Sequence, residues 1–204
     1  DLPFILFDSD RAPLVAAIRY LVERGFRIFR LNNLGHFPLF DGLTGLTLIT
    51  GFRLFSLNSQ AIAAWKELGA GEVTLYLEDD RENLRELLAR PTGVPAAVTL
   101  YAPVPVITSR IPVGGVRSDS PVLSDREEAY RVEGRSGLTV VTAETDFSLL
   151  GRQGELEGFG CSKFIVDLSH LGPFSPHGKR VLEALRRGET LPGTAIFNYE
   201  MGLE

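Results

Sequence analysis

Short apolar runs alternate with amphipathic stretches through the first half of the chain. The apolar or alternating runs at residues 4–7 and 26–31 predict strands, because strands buried in a parallel sheet carry few polar side chains. Further runs of this kind predict strands at residues 39–50, as a short strand or a hairpin, and at 53–57, 72–78 and 94–101.

The amphipathic stretches between these runs have the spacing of α-helices. Leu14, Ile18 and Leu21 recur at helical spacing in a first helix, which is expected to begin near 8–10 and to end before Gly25. Helices are predicted in the same way at 61–68 and 81–90. Strands joined by single short helices form right-handed crossovers and lie parallel. The pattern therefore predicts an α/β fold, either an open sheet or part of a (βα) barrel.

This alternation is interrupted after residue 103. Pro103, Pro105 and Pro112 exclude a central strand in this region, since proline donates no hydrogen bond to a neighbouring strand. Glycines and serines at 114–115 and 118–121 predict turns. Two alternating runs, at 129–133 and 138–143, flank the loop 134–137 and predict an antiparallel β-hairpin.

The α/β pattern returns near the end of the chain. Residues 147–160 are expected to be irregular or to form a short helix, residues 163–168 a strand, and residues 178–187 an amphipathic helix. Residues 191–204 are predicted to be a tail lying on the surface. A chain of 204 residues has room for one large domain or two small ones.

Composition narrows the classes of function. A hydrophobic content of 44% and a charged content of 23% are typical of soluble globular proteins. The net charge of -5 disfavours general binding of nucleic acids, which needs a basic face. No apolar run approaches the roughly 20 residues that span a bilayer, and no basic leader precedes residues 4–7. We therefore expect a cytoplasmic protein without membrane contact. The single cysteine, Cys161, excludes an internal disulfide and any cluster built from several cysteines of this chain.

Polar residues follow several predicted strands, where α/β proteins place their ligand-binding groups. Asn32, Asn33 and His36 form the most polar of these loops, and His36 is a candidate acid, base or metal ligand. The alternative is that the two asparagines only form the turn and cap backbone groups. Asn58 and Ser59 follow another strand, where they can cap the next helix or bind a ligand.

Three consecutive acids, Glu78, Asp79 and Asp80, end a further predicted strand. They are candidates for a general base or a magnesium ligand, although acids at a helix N-terminus also stabilise the helix without any function. Arg110 follows the proline-rich run and either binds a carboxylate or phosphate or is a solvated surface residue. Cys161 is a candidate nucleophile only with His170 or His177 as its base, and is otherwise a small core residue.

Asp167 and His170 flank the end of the last predicted strand. Asp167 falls within an otherwise apolar run, so a buried carboxylate there needs a partner. We therefore expect Asp167 and His170 to form a hydrogen-bonded pair, and we take them, with His36, as the candidate catalytic residues. Asn32, Asn33, Asn58, Ser59, Glu78 and Arg110 are the candidate ligand-binding residues. No metal ligand is assigned, and no phosphate-binding glycine motif, zinc helix or nucleophile elbow is present in the sequence.

Several segments resemble peptidase family U32, the collagenase-like peptidases. The resemblance lies mainly in Leu-Phe-Ser-Leu-Asn-Ser-Gln-Ala at 54–61 and Leu-Tyr-Ala-Pro-Val-Pro-Val-Ile-Thr-Ser-Arg at 100–110. Shorter similar segments lie at 32–35, 68–70, 73–75, 123–126, 165–168 and 197–202. The resemblance implies an incomplete TIM-like (βα) barrel with an inserted antiparallel hairpin region, of which this chain is the C-terminal portion. It divides the chain into the βα repeat at 1–110, the hairpin excursion at 111–160, and the last strand, helix and tail at 161–204.

The resemblance also implies functions and partners. It implies a collagenase-like peptidase, or a fragment of one, that acts on a peptide or small molecule; the alternative is a non-catalytic or accessory barrel protein in RNA modification or cofactor biosynthesis. The sequence departs from the family at its signature strand. The family's glutamate position falls near Ala96 or Ala97, its glycine position is Ala102, and no cysteine follows. We therefore expect no cofactor. Because the predicted barrel is incomplete, we expect an upstream segment or a dimer partner to supply its missing strands.

Overall fold

The structure is a computed structural model that describes residues 1–113, 121–125, 128–135 and 137–202. The turns predicted at 114–115 and 118–120, and residue 126 of the segment 123–126, lie outside these ranges. The α-helices are α1 (Asp8–Glu23), α2 (Ser59–Glu67), α3 (Arg81–Ala89), α4 (Gln153–Gly158) and α5 (Pro176–Arg187). Short 3₁₀ helices span Leu34–Phe40, Phe52–Leu54 and Leu150–Arg152. In the described part of the chain, no helix has both the length and the apolar character required to cross a membrane.

The strands belong to two sheets. The first sheet contains β1 (Ile28–Leu31), β2 (Thr47–Thr50), β3 (Ala70–Thr74), β4 (Ala96–Ala102), β9 (Phe147–Ser148) and β10 (Lys163–Val166). The second contains β5 (Pro105–Ser109), β6 (Val122–Leu123), β7 (Ala129–Arg135) and β8 (Leu138–Ala143).

The first sheet has the order β1-β2-β3-β4-β10, and β9 pairs with β4 in antiparallel direction. The strands β1 to β4 pair in parallel, for example Leu31 with Thr50 and Val73 with Ala96. The second sheet is antiparallel, in the order β5-β8-β7-β6. This arrangement confirms the predicted α/β class, with an incomplete barrel-type parallel sheet and an antiparallel hairpin region.

Contacts divide the chain into two compact units. The first unit consists of Asp1–Val98, Leu156–Phe164 and the residues from Asn198 onward. The second unit consists of Thr99–Glu155 and Ile165–Phe197. The division into segments 1–110, 111–160 and 161–204 stays a prediction.

Local sequence signals explain where the helices begin. The side chains of Asn58, Asp80 and Ser175 each accept a hydrogen bond from a backbone N–H of the first turn of α2, α3 and α5, respectively. These bonds satisfy N–H groups that have no partner within the helix. The helices predicted at 61–68, 81–90 and 178–187 therefore lie close to their observed positions.

Three predicted strands differ in type from the structure, and the strand predicted at 72–78 is observed as β3, which ends at Thr74. Residues 4–7 form no strand; instead the backbone N–H of Leu2 donates to the carbonyl of Arg30 at 2.9 Å. Within 39–50, a 3₁₀ helix ends at Phe40 and residues 41–46 form a turn and irregular structure, so that only β2 is a strand. The run at 53–57 forms a 3₁₀ helix and then a left-handed residue, Phe55, with φ of 52°. Apolar runs this short do not distinguish strands from tight helical turns.

The predicted surface tail is wrong in part, because its aromatic residues are packed. In the first unit, Tyr199 is 1% exposed and its carbonyl accepts a hydrogen bond from the N–H of Arg81 at 2.9 Å. In the second unit, the ring of Phe197 stacks on Phe147 at 5.5 Å between centroids. Large aromatic side chains bury enough apolar surface to hold a terminal segment in place.

Candidate functional site

Three segments of the second unit meet at the end of β4. The two-residue strand β9 pairs with this end, placing Ser148 opposite Tyr101 and Phe147 opposite Ala102. From the segment that follows β10, the N–H of Asp167 donates to the carbonyl of Tyr101 at 2.8 Å. Because of these two pairings, residues just before β9 and just after β10 lie beside the side chain of Tyr101.

Asp146 is the centre of the resulting cluster. Its Oδ2 accepts a short hydrogen bond from the hydroxyl of Tyr101, and the same atom lies 3.0 Å from Nε2 of His170. The rings of Tyr101 and His170 are nearly parallel, with centroids 6.2 Å apart. Tyr101 is fully buried, whereas the side chain of His170 is 24% exposed. The side chain of Asp146 is 13% exposed, so His170 is the member of the three that is most accessible to a solvent-borne molecule.

The contacts of the cluster determine where Tyr101 and His170 carry their protons. Burial, together with the hydrogen bond and negative charge of Asp146, raises the pKa of Tyr101 above its usual value, so the hydroxyl stays a donor. An ionised carboxylate accepts hydrogen bonds only, which favours the tautomer of His170 that has its proton on Nε2. The Nδ1 atom of His170 is then a free acceptor, which is the form needed by a general base.

A pocket of about 310 Å³ opens beside the cluster. Asp146, His170 and His177 line it, as do Arg131 and Glu144, which form an ion pair at 3.1 Å. This volume is at the lower end of the range for small-molecule sites. The pocket therefore combines two histidines with charged groups of both signs.

The sequence-predicted residues of the second unit have different positions. Asp167 does not pair with His170 as expected: its Oδ1 accepts the N–H of Ser169 at 2.8 Å, and Asp146 is the partner of His170. An aspartate side chain readily accepts a hydrogen bond from the backbone N–H two residues later and so closes a turn. This local bond explains why Asp167 does not pair with His170. Arg110 is exposed and directly follows β5.

Neither a protein-family model nor a curated protein nor a solved structure matches this chain. The resemblance to the collagenase-like peptidases therefore stays a prediction.

In the first unit, Asn32 and Asn33 hold the first residues of the chain. The amide of Asn32 donates to the carbonyl of Leu2 and to the side chain of Asp1, both at 2.7 Å. The amide of Asn33 donates to the carbonyl of Phe4 at 3.2 Å, and its Oδ1 accepts the N–H of Gly35. Both amides therefore have structural partners, and their ligand-binding role stays a prediction.

His36 is fully buried in the same region, and its Nδ1 accepts the N–H of Asn32 at 3.3 Å. Its Nε2 has no hydrogen-bond partner among the described residues. Burial lowers the pKa of His36, so the imidazole is neutral in the folded protein. A buried neutral ring serves as a backbone acceptor and has no open path to a substrate.

We expect this burial to make stability depend on pH. Because the pKa of His36 is lower in the folded than in the unfolded chain, the unfolded state takes up the proton first, and the free energy of unfolding falls as pH drops below about 6.5. Urea unfolding between pH 7.5 and pH 5 should show this slope in the wild type and a smaller slope in His36→Gln. The control His177→Gln should retain the slope; an unchanged slope in His36→Gln would contradict the prediction.

The other predicted ligand residues of the first unit serve local structure. Asn58 caps α2, in which Ser59 is the first residue. Glu78 accepts the hydroxyl of Tyr76 at 3.3 Å. Asp79 is 5% exposed and accepts the amide of Asn83 at 2.8 Å. Their roles as ligands stay predictions.

The environment of Cys161 is that of a small core residue rather than of a nucleophile. It is 4% exposed, and its Sγ donates to the carbonyl of Lys163 at 3.2 Å. Burial raises the pKa of its thiol, which disfavours the nucleophilic thiolate. Within the described residues, no group of three or more His, Cys, Asp and Glu side chains is arranged to hold a metal ion. A single buried cysteine also does not fit an iron–sulfur cluster, which needs several thiolates.

Sequence reasoning missed two members of the cluster, Tyr101 and Asp146. Tyr101 is the last residue but one of β4, whose other residues apart from Thr99 are apolar, and the hydroxyl of a buried tyrosine usually finds a hydrogen-bond partner. That signal predicts an acceptor without identifying it. Asp146 lies in a turn with no recognisable motif, and only the pairing of β4 with β9 brings it to Tyr101.

Proposed function

We propose that this chain is a hydrolase of the collagenase-like peptidase type, in which His170 is the general base. The observation that supports this is the hydrogen-bonded series His170–Asp146–Tyr101 at the edge of a pocket. The substrate is a peptide or a related small molecule with a hydrolysable carbonyl bond.

The chemistry follows from the tautomer of His170. Its Nδ1 accepts a proton from a water molecule as that water attacks the carbonyl carbon. The resulting imidazolium is stabilised by the carboxylate of Asp146, 3.0 Å from Nε2. The same proton is then given to the leaving amine, so the histidine returns to its neutral form. General acid–base catalysis of this kind contributes about 10²–10⁴-fold to the rate.

Asp146 and Tyr101 are positioning residues in this proposal. Asp146 fixes the ring of His170 and its tautomer, and Tyr101 fixes the carboxylate. The ion pair between Arg131 and Glu144 and the ring of His177 give the pocket groups that can bind the charged or polar ends of a peptide.

The test is hydrolysis of gelatin and of short fluorogenic peptides by the wild type and by His170→Gln. We expect the wild type to cleave and His170→Gln to lose most of the rate while its KM changes little, since a general base acts on the chemical step. Asp167→Asn is the control, because Asp167 only closes a turn; equal losses in both variants, or an unchanged rate in His170→Gln, would overturn the proposal.

A second candidate is a non-catalytic barrel protein that binds a peptide or small molecule. This candidate is favoured by Ala97, which lies within β4 at about the position of the family's glutamate. Ala97 is 1% exposed, and it supplies no acidic group at that place in the strand. In the same assays, this candidate predicts peptide binding without cleavage, in both the wild type and His170→Gln.

A further inference from the structure

The segment that follows β2 builds a second polar site, within the first unit. After Thr50 the chain turns at Gly51 into the 3₁₀ helix Phe52–Leu54, and Ser56 then forms a parallel bridge with Leu75. This bridge holds the segment beside the residues that follow β3. The carboxyl ends of parallel strands are the edge at which α/β proteins bind ligands.

Arg53 is the unusual residue of this segment. Its guanidinium lies over the ring of Phe4 at 4.3 Å from the centroid and near the ring of Phe52 at 5.4 Å. The side chain is half-buried, and burial lowers its pKa. In the described part of the chain, no carboxylate oxygen lies within 4.0 Å of the guanidinium of Arg53. Its N–H groups also donate no hydrogen bond to any described residue.

An arginine in this environment normally has an anionic partner. The guanidinium carries five N–H donors in a planar fork that matches the oxygens of a carboxylate or phosphate. The half-exposed arginines Arg30 and Arg131 each pair with a carboxylate, at 3.4 Å and 3.1 Å. Arg53 is held by aromatic rings instead, which fix its plane and leave its donors for a partner from solution.

Two exposed aromatic side chains lie close by in the fold or the chain: Phe4, under the guanidinium, and Phe55, two residues after Arg53. Phe4 is 36% exposed and Phe55 is 53% exposed. The ring of Phe55 lies 5.0 Å from that of Tyr76, whose hydroxyl donates to Glu78. Phe55 also has a left-handed backbone, with φ of 52°, which is unfavourable for a residue other than glycine. The chain thus keeps a large aromatic side chain in a strained and solvent-facing position, which is a pattern found at ligand sites.

We propose that Arg53, Phe4 and Phe55 form a binding site for an oxyanion, carboxylate or phosphate, that is attached to an aromatic or other flat apolar group. The fork of Arg53 binds two oxygens of the anion, and the exposed faces of Phe4 and Phe55 cover the apolar group. The site lies entirely within residues 4–78 and does not depend on the function proposed for His170.

The test is titration of the isotope-labelled wild-type protein with benzoate, phenyl phosphate and inorganic phosphate, followed by amide NMR shifts. We expect benzoate or phenyl phosphate to bind at least about tenfold more tightly than inorganic phosphate, with the largest shifts at 51–57. Tighter binding of benzoate would identify the anionic group as a carboxylate, and tighter binding of phenyl phosphate would identify it as a phosphate. No saturable binding of either aryl anion, or equal binding of inorganic phosphate, overturns the site as proposed.

Variants test the residues. Arg53→Met should weaken aryl anion binding at least about tenfold, because the fork is lost. Arg24→Met is the matched control, since Arg24 lies over the exposed ring of Tyr20 at 4.8 Å from its centroid and should not affect binding. If Arg53→Met does not fold, Arg53→Lys retains the charge without the planar fork and should still weaken binding. Phe55→Ala should reduce the preference for aryl anions over inorganic phosphate. Wild-type affinity in both Arg53 variants overturns the proposal.

Discussion

Replacing Asp146 with alanine is expected to reduce the rate of the proposed hydrolysis by about 10²–10⁴-fold and to destabilise the protein by about 1–3 kcal/mol. The stability loss follows from Tyr101, which is fully buried and donates its hydroxyl proton to Asp146. Without that acceptor the hydroxyl is left buried and unpaired. The rate loss follows from His170, which loses the group that fixes its ring and its tautomer.

A double-mutant cycle separates the two effects. In the Tyr101→Phe background no buried hydroxyl is left unpaired, so Asp146→Ala should cost less stability there than in the wild type. The rate should stay low in both backgrounds, because His170 still lacks its partner. Urea unfolding and peptide hydrolysis measure the two quantities on the same four proteins. Additive stability losses would mean that Tyr101 and Asp146 are not coupled and would contradict the geometry.

The elements with strong local signals were predictable. The helices α2, α3 and α5 follow a capping side chain and have apolar residues at helical spacing, and the caps are local hydrogen bonds. The segment 53–57 was predicted as a strand because Leu54, Phe55 and Leu57 suggested an apolar strand. Tertiary packing decides otherwise, since Leu54 is the only buried apolar side chain of the segment and Phe55 adopts a left-handed backbone.

The candidate site was predictable only through His170. Its expected partner was Asp167, a carboxylate within an otherwise apolar run near the end of the same predicted strand. The observed partner, Asp146, lies 24 residues from His170 and is brought there by the pairing of β9 with β4. A strand of two residues has no periodicity from which it can be predicted. The polarity of Asn32 and Asn33 was recognised correctly, but their partners are the carbonyls of Leu2 and Phe4, about 30 residues away, which no local pattern indicates.

Replacing Gly178 with alanine is expected to destabilise the protein by about 1–3 kcal/mol, although alanine favours helices over glycine. A Cβ at this position in α5 would lie 2.2 Å from the carbonyl oxygen of Gly172 and 3.2 Å from Cα of Pro173. Both atoms belong to the backbone, so no side-chain rotation relieves the overlap. The helix and the turn at 172–175 must therefore move apart, which also strains the hydrogen bond from Ser175 to the carbonyl of Gly172, 2.9 Å long.

This movement reaches the candidate site, because His170 lies two residues before Gly172. We therefore expect Gly178→Ala to lower the melting temperature by several degrees and to reduce the hydrolytic rate at the same time. Gly154→Ala in α4 is the matched control, since a Cβ there meets no atom within 4 Å, and helix propensity alone predicts a gain of up to about 1 kcal/mol. Equal melting temperatures for the two variants would show that α5 and the turn next to His170 are not in close contact. Packing of α5 would then not explain the position of His170.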